Sequence, residues 1–166
     1  MAYYMIQDYS ANLYGATLGA NMELTLYAVF TAFCFVAPAV TNMLGARLTM
    51  FLGVIGYATL PLASLLFSLG LFGSWVVVAG GALLGVGAAL LWTAQGRLML
   101  EYAGGDDVGR IFAIFWSMFN ASAVLGGVLV FAYFSNADAS ATPALFVIFI
   151  GLLVAGGALT ACLRPA

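Results

Sequence analysis

Apolar residues run through this chain in long blocks, and the polar positions between them recur at about the interval of a lipid bilayer. A hydrocarbon core of about 30 Å takes about 20 helical residues to cross. Five blocks reach that length: residues 24–43, 48–69, 75–96, 111–134 and 143–163. They are separated by LGAR, LGLFGS, EYAGGDDVGR and SNADASAT, connections short enough to leave consecutive helices antiparallel neighbours. Pro61 inside the second block predicts a kink, and Pro143 suits the first turn of the fifth. Residues 1–22 are aromatic at first and then polar and small, and are expected outside the spans. The fold class expected is all-α: a polytopic membrane helix bundle of five transmembrane helices. Residues 1–166 form one domain with no internal repeat.

Composition turns this pattern into a requirement for lipid. Hydrophobic residues make up 65% of the chain and charged residues 6%, against roughly 25% charged in a soluble domain. Such a chain cannot cover a water-facing surface. Its basic charge is four arginines, Arg47, Arg97, Arg110 and Arg164, so it offers no basic patch and nucleic acid is excluded as a partner. Histidine is absent, and Cys34 and Cys162 both fall in apolar spans, where they read as buried small hydrophobes rather than as a disulfide or metal pair. No metal site, cofactor or catalytic triad is expected, and the chain is not expected to be an enzyme. Nothing basic precedes the first apolar residues, as a signal peptide would require. The expected partners are membrane lipids, and either another membrane protein or a second copy.

The arginines also set an orientation. With five spans, Arg47, Arg97, Arg110 and Arg164 all fall on one side, which the positive-inside rule makes cytosolic. The C-terminus is then cytosolic, and the N-terminus extracytosolic or lumenal. Asp8, Glu23 and Asp138 fall on the outer side.

The polar residues within the spans are the candidate chemistry. Trp92, Thr93 and Gln95 lie near the end of the third span. At 100° per residue, Ala88, Trp92 and Gln95 share a face with Gly81 and Gly85 nearby. In the fourth span Ala113, Ser117, Asn120 and Gly127 form one stripe, with Trp116 at its edge. Two readings stay open for Trp92, Thr93, Gln95, Ser117 and Asn120. They line a polar cavity, or they hydrogen-bond neighbouring helices at roughly 0.6–2 kcal/mol each. Small residues four apart, Gly81 with Gly85, Ser122 with Gly126 and Ala123 with Gly127, are expected to pack helices closely, as are Gly151 with Ala155 and Gly157 with Ala161. Arg97 and Glu101 are spaced for an i,i+4 ion pair. Asp106 or Asp107 lies close to the start of the fourth span. No acidic residue lies mid-span, which counts against a proton-coupled carrier.

Several stretches carry a family resemblance. LLGVGAALLWTAQGRLMLEY resembles the fourth helix of UNC93-like proteins of the major facilitator superfamily, where LWTAQG or a close variant recurs. YSANLY resembles the tail of that family's first helix, and TLGANMELTLYAVF the start of its second. PAVTNMLGARLTMFLGVIGY and GRIFAIFWSMFNASAVLGGVLVF resemble the second-to-third helix passage and the fifth helix. The resemblance implies that the five spans are helices two to six of a twelve-helix fold. The chain is then the N-terminal half lacking most of the first helix. Arg97 stands where a small polar residue is usual, which weakens any ligand role carried over to it. Members of this family look like transporters, and several are associated with ion-channel regulation or receptor escort. The expected function is therefore transporter-like in fold, but regulatory or accessory. The alternatives are a solute transporter acting as part of a longer chain or a dimer, and a structural subunit of a larger membrane complex.

Overall fold

The computed structural model describes residues 10–103, 107–136 and 143–161. Regular structure among these residues is α-helical throughout: α1 Ser10–Tyr14, α2 Ala16–Cys34, α3 Ala37–Leu44, α4 Ala46–Ser68, α5 Trp75–Ala103, α6 Val108–Asn136 and α7 Pro143–Ala161. Among them α4, α5 and the Val108–Val128 stretch of α6 are each long and apolar enough to cross a membrane. Helices α2 and α3 pass that test together, as a pair bent by 59°. Helix α7 is apolar, and its Phe146–Ala158 portion is shorter than a full span. The architecture is an all-α membrane bundle. Among the described residues, the expected count of five becomes three single spans, one broken span and this shorter helix.

The first span departs from its expected bounds for local reasons. Its helix begins at Ala16 rather than at residue 24, because between Ala16 and Glu23 there is no proline and Gly19 alone disfavours a helix. The polar residues there find partners. The Ser10 hydroxyl donates to Glu23 Oε1 at 2.7 Å, and the Thr25 hydroxyl to the Asn21 carbonyl at 2.8 Å. The helix then breaks at Phe35–Val36, ahead of Pro38 in the first turn of α3. Proline lacks an N–H and disfavours helical geometry in the residue before it, so α3 starts as a new segment. By contrast, α4 runs as one helix through Pro61. Hydroxyls on either side supply extra donors to its carbonyls, Thr59 to Gly56 at 2.6 Å and Ser64 to Leu60 at 2.7 Å.

Helix α5 is the centre of the bundle, touching α2, α3, α4 and α6, while α7 packs on α4. Glycines on two of its faces make that possible. Towards α4, a Cβ on Gly56 would lie 2.5 Å from the Gly87 Cα, and one on Gly80 would lie 2.6 Å from the Ala63 Cβ. Towards α2, a Cβ on Gly85 would lie 2.6 Å from the Leu26 carbonyl oxygen, and one on Gly81 2.9 Å from Met22 Cγ. Lipid tails are as apolar as leucine, so burial drives little association here. Close backbone approach and dispersion hold such helices together. Met22, Leu26, Leu60, Val77, Leu84 and Phe146 form one buried apolar cluster, and Ala37, Ala89 and Leu90 form a second.

The turn between α3 and α4 is a single residue. Gly45 has φ 78°, a left-handed conformation that L side chains rarely adopt, and so it ends one helix and starts the next. At the opposite end of the bundle, Tyr14 of α1 hydrogen-bonds Ser64 and meets the Phe67 ring edge-on at 6.0 Å. Tyr14 precedes the spans, and burial pushes its phenol up to about 12, with the Ser64 hydrogen bond pulling the other way.

Cys34 corrects an expectation. It is exposed and unbridged at the end of α2, beside the bend, not buried. Cys162, Arg164, Asp8, Asp106, Asp138 and the aromatic run from Tyr3 to Tyr9 lie outside the described residues.

Candidate functional site

The candidate polar residues sit on α5 and α6, and a single aromatic side chain joins those helices. Trp92 stacks on Trp116 with ring centroids 6.0 Å apart, meets Phe119 edge-on at 5.5 Å, and meets Phe115 at 6.4 Å. Its indole N–H donates to the Tyr57 hydroxyl of α4 at 3.1 Å. Trp92 therefore ties three helices through one ring. Its polar edge is satisfied by Tyr57, as a half-buried indole within a membrane span requires. Thr93 and Gln95 follow on the same helix and are half-buried. Among the described residues neither carries a side-chain hydrogen bond.

The structure does not bring Ser117 and Asn120 to this cluster. On α6 the half-buried or buried positions include Ile111, Phe112, Phe115, Phe119, Ser122 and Gly126, while Ala113, Ser117, Asn120, Val124 and Gly127 are exposed. At 100° per residue these two sets occupy opposite sides of the helix. The small, polar stripe thus faces away from the other described helices. Asn120 donates from Nδ2 to its own helix, at the Trp116 carbonyl, 2.7 Å away. Its Oδ1 has no donor among the described residues. Four glycines are singled out for packing. Gly81 and Gly85 meet α2, Gly126 is buried, and a Cβ on Gly127 would meet nothing within 4 Å among the described residues.

Past Gln95, α5 carries the charged part of the site. Arg97 Nε donates to Glu101 Oε1 at 2.6 Å, the ion pair its spacing permits. The same guanidinium also reaches α3: Nη1 donates to the Thr41 carbonyl at 3.4 Å and to Asn42 Oδ1 at 3.3 Å. A cation at the last carbonyls of α3 complements the negative end of that helix dipole. Its side chain is 41% exposed, so solvent screening keeps the pair itself weak. Among the described residues no group of three or more His, Cys, Asp or Glu side chains is placed to hold a metal.

Several contributors escape sequence reading. Tyr57 is the partner of Trp92, yet nothing marks it in the linear chain. Gly53, Gly56, Gly80 and Gly87 form the tightest crossing, α4 against α5. The seven-residue interval from Gly80 to Gly87 was a usable signal, since it returns to the same helix face after two turns. Asn42 and Thr41, 55 and 56 residues before Arg97, become its acceptors only through tertiary packing.

The family described as "Ion channel regulatory protein UNC-93" matches residues 19–165. The chain is similar to the UNC93-like protein C922.05c of Schizosaccharomyces pombe, 32% identical over 145 residues, covering 87% of this chain and 29% of that protein. It is 33% identical over 152 residues to UNC93-like protein 1 of Arabidopsis thaliana, covering 90% and 33% of the two chains. It is 32% identical over 155 residues to Protein unc-93 homolog A of Homo sapiens, covering 85% and 32%. The chain spans about a third of the length of these curated relatives. No solved structure matches it.

Proposed function

The chain belongs to the UNC-93 family of the major facilitator superfamily and is an integral membrane protein, and from that premise we propose that it acts as a regulatory or accessory subunit for another membrane protein, without enzymatic activity of its own. The observation that carries this reading is Asn120. In hydrocarbon an amide acceptor without a donor costs several kcal/mol by the water-free estimate, and polar side chains in spans almost always face protein or a water-filled cavity. Asn120 lies on the exposed side of α6, flanked by Ala113, Ser117 and Gly127, small residues that admit a second backbone at close range. This face suits a further membrane helix that donates to Oδ1. The family's description as regulators of ion channels supports a channel subunit as the kind of partner. Residues 1–166 act as one domain in this reading, with the arginine-bearing ends of α4, α5 and α6, and the end of α3 that adjoins α4, in the cytosol, as the positive-inside rule directs.

A second reading follows from the length of the relatives. In a protein about three times as long, the same α6 face would meet the remaining helices of a solute transporter, and Gln95, Thr93 and Trp92 would border its polar path. Flux separates the two. The purified chain in liposomes is expected to show no saturable solute uptake. A photoreactive residue replacing Ser117 is expected to form an adduct with a co-expressed channel subunit, and Asn120→Leu is expected to abolish that adduct. Saturable uptake by the chain alone, or adducts with lipid only, overturns the regulatory reading.

A further inference from the structure

The bend in the first span divides it into two parts with different attachments. Helix α2 sits through Met22 and Leu26 in one buried cluster, against Gly81 and Gly85 of α5. Helix α3 sits through Ala37 in the other, against Ala89 and Leu90. The junction between them is weakly built. Phe35 and Val36 N–H groups donate three residues back, to Ala32 at 3.4 Å and Phe33 at 3.0 Å, in place of the four-residue helical pattern. Pro38 brings no N–H, so the Cys34 carbonyl loses its helical donor. Phe35 is 85% exposed and adds no packing there. The far end of α3 ends at Gly45, and across from it stands Arg97, whose Nη1 reaches Thr41 and Asn42 through long hydrogen bonds. Glu101 holds the guanidinium in place from its own helix.

We propose that α3 is a hinged half-span: it pivots at Phe35–Val36 and at the single-residue Gly45 turn into α4, and Arg97 is the latch that holds its Gly45 end against α5. The latch is suited to release. Its two contacts to α3 are 3.3 and 3.4 Å long, at the weak end of hydrogen bonding, and the guanidinium is partly exposed. The inner face of α3 is small, with Ala37 and Thr41 buried, and its one larger side chain packed on this cluster, Val40, is only half-buried, so few atoms interlock it with α5. The Thr41 hydroxyl is satisfied within α3 by the Ala37 carbonyl at 2.8 Å, so it travels with the half-span and loses nothing when α3 moves. Release swings α3, and with it the first turn of α4 beyond Gly45, away from Ala89 and Leu90 and opens a crevice at the Arg97 end of α5, while the glycine crossing of α4 on α5 at Gly53 and Gly56 stays closed. Arg97 is a positioning residue in this device.

Eight residues at about 1.5 Å each make α3 a lever about 12 Å long, so relaxing the bend by about 20° moves its Gly45 end by about 4 Å. Spin-label pairs measure that shift in the full chain in nanodiscs, with Cys34 and Cys162 replaced by serine. One pair, Met43→Cys with Leu100→Cys, spans α3 and α5 at exposed sites. The reference pair, Leu62→Cys with Leu83→Cys, spans α4 and α5. Arg97→Gln is expected to lengthen the first distance by about 4 Å or to spread its distribution over that range, with the reference pair unmoved. Asn42→Ala, which removes one acceptor and leaves Arg97 intact, is expected to shift the first distance the same way by less. The proposal is overturned if neither variant changes the α3–α5 distance, or if the reference pair shifts equally and the whole bundle has loosened.

Discussion

Helices α5 and α6 have 29 residues each, both are apolar enough to span a membrane, and both carry small residues at four-residue spacing. Yet half of the most apolar stretch of α5 is buried, against 6% for α6. On α5, Gly80 and Gly87 admit α4 while Gly81 and Gly85 admit α2, so small residues on two faces draw in two helices. On α6, Gly127 meets nothing among the described residues, and the aromatic side makes the attachment, at Trp92. In lipid an exposed apolar surface is stable as it stands. A small residue therefore promotes packing only where a second small surface lies opposite, as Gly56 lies opposite Gly87.

The largest effect should come from filling the α4–α5 crossing. Gly87→Leu sets a side chain against the Gly56 backbone and is expected to cost about 3 kcal/mol or more, or to prevent folding. Gly127→Leu on α6 should stay within about 0.5 kcal/mol of the parent. Thermal or denaturant unfolding in detergent measures both, and similar losses for the two would erase the distinction between the helices.

Trp92→Phe comes next. It keeps a ring between α5 and α6 but removes the N–H to Tyr57, and about 1 kcal/mol should be lost. Because Trp92 holds α6, hydrogen exchange in α6 should rise more than in α4. Equal protection loss in both helices would mean that the attachment is more broadly shared.

For Asn120→Leu, the unfolding midpoint of the chain alone should hardly move, since the amide bonds only its own helix. Gln95→Leu should leave expression intact and impair function if Gln95 borders a polar path. A loss of folding instead would assign it to helix–helix bonding.

The smallest effect concerns α1. Between pH 10 and 12 an unfolded chain ionises Tyr14 while the folded one keeps its proton, so the folded state binds more protons and stability falls as pH rises. This contribution is fully present below pH 10 and is lost as the pH passes through about 12. Tyr14→Phe should flatten that part of the alkaline decline in the unfolding midpoint. An unchanged slope would show that Tyr14 is not buried as described.

Much of the bundle is legible in linear order. Hydropathy alone places the second to fourth blocks close to α4, α5 and α6, because a helix must satisfy its own backbone in hydrocarbon. Pro38 and Pro61 show where that reading stops. Both are prolines in apolar runs, and only Pro38 coincides with a break. Pro61 lies in a helix packed against both α5 and α7, whereas Pro38 opens a short segment with a glycine turn at its other end. The candidate site divides in the same way. Arg97 with Glu101 is a local pair and is readable from spacing, but Asn42 and Tyr57 as partners are not.

Length and apolarity by themselves determined that this chain lies in a membrane as helices, and the LWTAQG region pointed to the family. Both are properties of neighbouring residues. Tertiary structure decided which helix is central, which glycines touch, that Ser117 and Asn120 turn away from Trp92, and that Arg97 reaches α3. The physical reason lies in the solvent. Lipid drives every apolar segment to become a helix, but it accepts any of its apolar faces equally. Which face meets which neighbour is left to shape and to a few hydrogen bonds between residues far apart in sequence.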